Sequence, residues 1–380
     1  MFEQSRNPVT VLERGRTFLF SAFSLTVHVP FIVMACQSYG EVGTNSSPAA
    51  KRTREEVEKL IAKAGKETPD WWEAVPLQYP KTLDLSWPKP PPGWNPRKHI
   101  RHYMFSIINE NPSRWKMGTK FMHHVLSVNE ENPVRWQAME ALGLCYYDLL
   151  RDWARAAFWW RESGTSNINH LVGMANCYWQ LGSKKMAMEQ LRKIQVDYTR
   201  YGSAIKLWSE MDELQEGLRL SGVSAADGEP SGPLMGAGDA CRWHDRFEQA
   251  KGYYQKVMSL SAGKKKGIRE RNSGRAKAAL QHMALFETLD LKRIPDGTYA
   301  GSSLAYTGQL AVAVTVREGK ITSIRVTRHR ERQYFTALKD TPRKILLKQG
   351  LKGIDTTSGA TLTSEAVIHA TAKTLAGALR

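Results

Sequence analysis

The stretch Asp355-Thr356-Thr357-Ser358-Gly359-Ala360-Thr361-Leu362-Thr363-Ser364 sets the reading of the C-terminal part of this chain. Six of its ten side chains carry a hydroxyl, and Gly359 and Ala360 sit at its centre. Apolar and small residues follow at helical spacing: Val367, Ala370, Thr371, Thr374, Leu375 and Leu379. Ser or Thr ahead of such a run supplies N-cap oxygens. Gly359 lets the backbone come close to another group. The start of a helix presents unbonded N–H groups and the positive end of its dipole, so the pattern predicts a seat for a phosphate group here.

Upstream, Asp296-Gly297-Thr298-Tyr299-Ala300-Gly301 opens a segment of different character. Leu310, Val312, Val314 and Val316 alternate along one face of a strand. Arg317-Glu318-Gly319-Lys320 reads as a turn with Gly at a positive φ, and Ile321–Thr327 as the returning strand, which together predict a β-hairpin. His329-Arg330-Glu331 follows. Thr341-Pro342 has the form of an N-cap with Pro at the first helical position, opening a helix through Leu347. The order is turn, hairpin, helix, hydroxyl run, helix over residues 290–380.

This order, the Asp-Gly-x-Tyr-x-Gly opening, the His-x-Glu after the second strand and the run Asp355, Ser358, Gly359, Ala360, Thr361 resemble the FMN-binding domain family. Members of that family occur as components of the sodium-translocating NADH:quinone reductase and of the Rnf electron-transport complex. The resemblance implies a small α+β domain whose Thr361 is esterified to the phosphate of FMN by a separate Mg-dependent flavin transferase acting outside the cytoplasm. Thr361 is then a modification site and not a catalytic residue. Ser358, Gly359, Ala360, Asp355, Thr363 and Ser364 would surround the cofactor, and His329 and Glu331 either touch it or are a polar strand end. A Thr hydroxyl does not attack a phosphate unaided, which is why a transferase is needed.

The rest of the chain has another character. All twelve Trp fall between Trp71 and Trp243, none in the C-terminal segment. Gly143-Leu144-Cys145-Tyr146, Ala175-Asn176-Cys177-Tyr178 and Gly238-Asp239-Ala240-Cys241 open similar helical units, 32 and 63 residues apart. Each is followed by a small residue with a large one four on: Ala156/Trp160, Ala187/Leu191 and Ala250/Tyr254. These units are similar to the tetratricopeptide repeat, with Trp153 one residue late in the first and a degenerate unit between Tyr198 and Leu220. The expected fold class is therefore multidomain: an all-α tetratricopeptide-like solenoid followed by a small α+β FMN-binding domain. Such arrays dock partners in a groove, and a redox protein partner is expected; the alternative is that the helices support the flavin domain or a dimer.

The expected divisions are 1–36, a signal peptide or lipoprotein signal; 37–125, a Trp/Pro-rich extended arm and first helices; 126–262, the repeats; 263–289, a basic linker or helix; and 290–380, the flavin domain. Residues 18–35 are mostly apolar after Arg14 and Arg16, and Val33-Met34-Ala35-Cys36 resembles an imperfect lipobox, so Cys36 is a candidate lipid anchor. His28, Pro30 and a length that barely reaches a span weaken a membrane-crossing helix. The arm, Trp71 to Trp94, is too rich in Pro for a helix. Ser221–Gly236 reads as a loop.

The formal net charge is +17, with a basic run from Lys264 to Lys277. No zinc spacing, recognition helix or RNA-binding aromatic motif accompanies it, so nucleic acid is not expected. Cys145, Cys177 and Cys241 lie where small buried residues belong. No Cys-x-x-Cys occurs, which removes support for c-type haem, iron–sulfur and zinc sites. No metal is expected, and adjacent His123 and His124 do not share one helix face. The function expected is an exported flavoprotein, periplasmic or at the outer face of the cytoplasmic membrane, transferring electrons through covalent FMN. It is read as a carrier more than a stand-alone enzyme. The rivals are a flavin-dependent reductase with its substrate site between array and flavin, a non-redox adapter with a vestigial flavin domain, and a sensor that holds FMN non-covalently.

Overall fold

The computed structural model describes residues 50–77, 108–109, 111–130, 133–194, 202–226, 229–260, 266–305, 308–331, 336–354, 356 and 360–379. The expected leader with Cys36, most of the Trp/Pro-rich arm, and Asp355, Ser358 and Gly359 lie outside these. Among the described residues the chain is mostly helical, with thirteen α-helices and one small sheet near the C-terminus. No helix there is long and apolar enough to cross a membrane.

Helix α1 (Arg54–Lys66) starts on a capping box, Thr53 with Glu56. Trp71 and Trp72 then turn onto α2 (Trp115–Val128), where Lys120 donates to the carbonyls of Trp72 and Val75 (both 2.7 Å). Helical hairpins follow. Helix α3 (Val134–Leu144) continues through a π-helical segment (Cys145–Leu150) and folds back as α4 (Trp153–Glu162). Helices α5 (Ile168–Gln180) and α6 (Lys184–Arg192), α7 (Gly202–Glu210) and α8 (Leu214–Ala226), and α9 (Ser231–Trp243) and α10 (Phe247–Ser259) pair in the same way.

One left-handed residue turns each hairpin: Arg151 (φ 55°), Gly182 (φ 99°), Asp212 (φ 64°) and Asp245 (φ 57°). The next residue's N–H reaches back to a helix carbonyl, Ser183 to Tyr178, Glu213 to Trp208 and Arg246 to Cys241, satisfying groups the helix end would otherwise orphan. In the first hairpin Asp152 reaches Tyr146, one residue further back (2.9 Å). The π turn absorbs that extra residue, and this is why Trp153 falls late in the sequence pattern.

The small residues do specific work. A methyl group at Gly143 or Gly173 would overlap the Trp160 ring, so the indole of α4 fills the space between α3 and α5 only because both lack a Cβ. Trp160, Tyr146 and Leu142 are buried in the first core, and Tyr254 with Met235 and Cys241 in another formed with α11. The cysteines Cys145, Cys177 and Cys241 are free and buried, and burial pushes the thiols up, to about 12 for Cys145 and about 11 for Cys241.

The helical part departs from the expected loop at 221–236. The stretch 221–236 is helical at both ends, α8 running to Ala226 and α9 starting at Ser231. Its serines pack inside, Ser221 Oγ donating to the Pro233 carbonyl (2.6 Å), and Pro233 stands in the first turn of α9, where its missing N–H costs no helical bond. The basic run enters α11 (Lys266–Thr288) and is not all solvated, because Arg269 and Arg275 pair with carboxylates.

The sheet has order β1-β2-β3, all antiparallel: β1 (Gly297–Leu304), β2 (Gln309–Arg317) and β3 (Lys320–Arg328). The two-residue turn Glu318-Gly319 has positive φ at both positions, the hairpin geometry that matches strand twist. β1 is a strand where the sequence suggested only an opening turn. Leu310, Val312, Val314 and Val316 face the core with Ile345 of α12 (Ala337–Lys348) and Val367 and Leu375 of α13 (Thr361–Ala378). Gly301 lets α13 lie directly on β1, since a Cβ there would strike Thr374. Helix α12 begins before the Thr341-Pro342 pair, so Pro342 is inside it and not at its start. Leu285 and Leu289, at the end of α11, pack on this same core.

Candidate functional site

The hydroxyl-rich run delivers the chain into α13, whose first residue is Thr361. Its N-cap is Ala360 (φ −122°, ψ 32°), which has no side-chain oxygen to offer. The expected Ser or Thr cap is therefore absent at that position, and Ser364 N–H to the Ala360 carbonyl (2.9 Å) begins the helical ladder. Helix α13 is enclosed: Ala360, Thr363, Ser364, Glu365, Val367 and Ile368 are all buried. The sheet covers one side, and α11 and α12 pack against others.

Of the sequence-predicted residues, Glu331, Ala360, Thr363 and Ser364 come together. Thr363 Oγ1 donates to Glu331 Oε2 (2.5 Å), tying the segment after β3 to the first turn of α13. His329, two residues before Glu331, is exposed. Thr361 is placed at the helix start by its backbone.

Residues that no motif announced complete the surroundings. Lys206 of α7 donates to the Thr356 carbonyl (2.7 Å) and pairs with Glu210 (2.7 Å). Arg275 of α11 forks onto Glu365, one turn beyond Thr361, through Nε to Oε2 (3.0 Å) and Nη2 to Oε1 (3.1 Å). Arg275 also reaches Asp239 of α9 (3.4 Å), which accepts from Tyr254 (2.7 Å) and lies 3.6 Å from Arg242. Burial opposes the charge on Arg275, and Glu365 and Asp239 outweigh it, so the guanidinium stays protonated. Burial and the neighbouring Glu365 both push the Asp239 carboxyl up. At the other edge Arg151, the left-handed residue of the first turn, pairs with Asp340 of α12 (2.9 Å).

Between the array and the start of α13 lies a cavity of about 580 Å³. Thr356, Ala360, Leu362, Thr363 and Glu365 line it on one side, and Tyr147, Asp148, His170, Lys206 and Arg242 on the other. This volume is in the range of cofactor and small-molecule pockets. Burial pushes the Asp148 carboxyl up to about 7, against the weaker pull of Arg151. The long-range partners had no local signal to find them by: Lys206 and Arg275 sit 150 and 90 residues from the groups they hold. No group of His, Cys, Asp and Glu able to hold a metal ion occurs among the described residues.

Residues 305–376 match the family model of the FMN-binding domain, which supports a flavin-binding segment in the C-terminal part of the chain. The match starts at the β1–β2 connection and ends within α13, enclosing the hydroxyl-rich run. Searches of curated proteins and of solved structures return no match.

Proposed function

We propose that this chain is an exported flavoprotein that carries FMN as a phosphoester on Thr361 and passes electrons to a redox protein at the outer face of the cytoplasmic membrane. The observation that carries this reading is the start of α13, a helix beginning at Thr361 with an alanine N-cap, on the wall of a cavity of about 580 Å³. The residues fit the cofactor: the helix start leaves backbone donors for a phosphate, and the cavity has room beside it for a ring system. When bound, FMN supplies reversible electron transfer at a potential set by its surroundings.

The chain's own residues hold the seat. Arg275 fixes Glu365 and with it the first turns of α13. Lys206 fixes the Thr356 carbonyl at the approach to the motif, and Glu331 orients Thr363. The apolar leader and Cys36 support export and a lipid anchor, and the similarity of the hairpins to tetratricopeptide units supports docking of the redox partner on the array. The test is intact mass after co-expression, in exported form, with a flavin transferase. Wild type gains the mass of FMN less one water and Thr361→Ala gains nothing; an unmodified wild type beside a labelled control protein overturns the covalent reading.

A second reading is favoured by one observation: the cavity runs on from the motif to His170 and Asp148, past any phosphate seat. In that reading the protein is a flavin-dependent reductase with an acceptor site between array and flavin. Turnover of a small acceptor by the purified, loaded protein, lost in Thr361→Ala, distinguishes it from a carrier.

A further inference from the structure

The array end of the cavity contains a second polar constellation. Glu140 of α3 is buried and accepts from Ser163 Oγ (2.5 Å), Thr165 Oγ1 (3.2 Å) and the Nδ1 of His170 on α5 (2.5 Å). Burial works against the Glu140 charge, but the His170 and Ser163 hydrogen bonds outweigh it and hold the carboxyl below its usual range. The imidazole of His170, itself buried, stacks on Trp160 at 5.0 Å and 13°. A carboxylate on Nδ1 fixes the tautomer and orientation of the ring, so that Nε2 at its opposite edge is presented for other work. Among the described residues no protein group hydrogen-bonds to that Nε2, and His170 lines the cavity.

A brace between α3 and α5 is complete once Glu140 has its donors. Nothing in that brace uses the second ring nitrogen, which is left to whatever enters the cavity. The walls say what kind of molecule that is. Each lysine or arginine facing this space is matched by a carboxylate: Lys206 by Glu210, Arg242 by Asp239 and Arg275 by Glu365. Asp148 adds one more acidic group, so there is no surplus positive charge for an anion. The remaining wall is aromatic, with Trp160 and with Tyr147, whose ring lies 5.2 Å from the Trp160 ring and whose hydroxyl accepts from Asn176 (2.8 Å).

We propose that the His170 end of the cavity is a binding site for a small, uncharged aromatic molecule whose hydroxyl donates a hydrogen bond to His170 Nε2. The site does not rest on the flavin reading: its residues belong to α3, its π-helical continuation, α4 and α5, and its test needs no flavin.

The test uses full-length protein produced without a flavin transferase, titrated calorimetrically with phenol at a pH of about 8, where a phenol is uncharged and an imidazole is neutral. The methyl ether anisole and the anion benzoate are the controls. Wild type binds the phenol; the two controls and the variants His170→Gln and Glu140→Gln bind at least about tenfold more weakly, about 1.4 kcal/mol. A readout free of any folding defect in the variants is the ring-nitrogen NMR signal of His170 in the unaltered protein, which shifts with phenol and not with benzoate. No binding at millimolar phenol, an unmoved His170 signal, or equal affinity for phenol and ether overturns the proposal.

Discussion

Ala360 interrupts the hydroxyl-rich run with a methyl group, and so leaves the first N–H groups of α13 to backbone or ligand. Replacing it with a capping residue puts an oxygen in competition with any anion. Ala360→Ser is expected to raise the stability of the flavin-free protein by about 1 kcal/mol and to lower the fraction of chains that acquire flavin, read by thermal melting and intact mass. Asp148 makes a second residue-scale prediction. Its folded-state pKa of about 7 lies above the unfolded value, so the folded chain binds the proton more tightly. That group costs no stability at pH below the unfolded value, and its cost grows as pH rises toward 7 and is complete above it. Asp148→Asn is expected to leave the urea midpoint unchanged near pH 4 and to raise stability by up to a few kcal/mol near pH 8; a gain equal at both pH values sinks this account. Glu331 and Thr363 were legible in the sequence because a motif singled out each of them. Asp148, His170 and Arg275 were not, since their significance is a neighbour brought in from another helix and nothing local marks it.

At the scale of elements, periodicity carried the helices and the β2–β3 hairpin, because each buries one regular face. It failed at β1, where Gly297, Gly301 and Ser302 give no apolar alternation and the decisive contact is the passage of Thr374 over a glycine. It failed again at 221–236, where small polar residues serve close helix packing. The contact between array and flavin domain was also illegible, as it consists of ion pairs between elements far apart in sequence. Arg275–Glu365 is the pair to test. Removing one partner strands a charge in a largely buried place, so Arg275→Ala is expected to cost about 3–5 kcal/mol, while replacing both partners with leucine costs much less. Urea unfolding of the two single variants and the double variant measures this; additive losses refute the pairing.

On the scale of the whole molecule, burial holds three histidines neutral. His123 is held down to about 4 and His369 to about 3, and His282, whose ring meets that of His369 at 4.1 Å, is held well below its usual value. Burial is the main cause in each, with nearby cations and, for His282, the neighbouring His369 adding to it. Depressed histidines favour the folded state above pH 6.5, and that contribution is lost as pH falls toward their folded values. Each contributes a slope of about 1.4 kcal/mol per pH unit between those limits. Stability is therefore expected to fall steeply between about pH 6 and 4, and calorimetry in buffers of different ionisation heat should find proton uptake on unfolding. Asp148 opposes this with one group against three.

Helix α11 has a further consequence. Its Arg275 and His282 meet Glu365 and His369 of α13, and its Leu285 and Leu289 complete the core beneath the sheet. The family match begins only at residue 305, yet a segment cut there would leave Glu365, His369 and an apolar hollow without the groups that α11 sets against them. In inheritance, then, this C-terminal segment is expected to travel together with the long helix before it. A recombination event that moved it alone is expected to deliver a fragment that does not fold, which expression of residues 305–380 beside 266–380 would show.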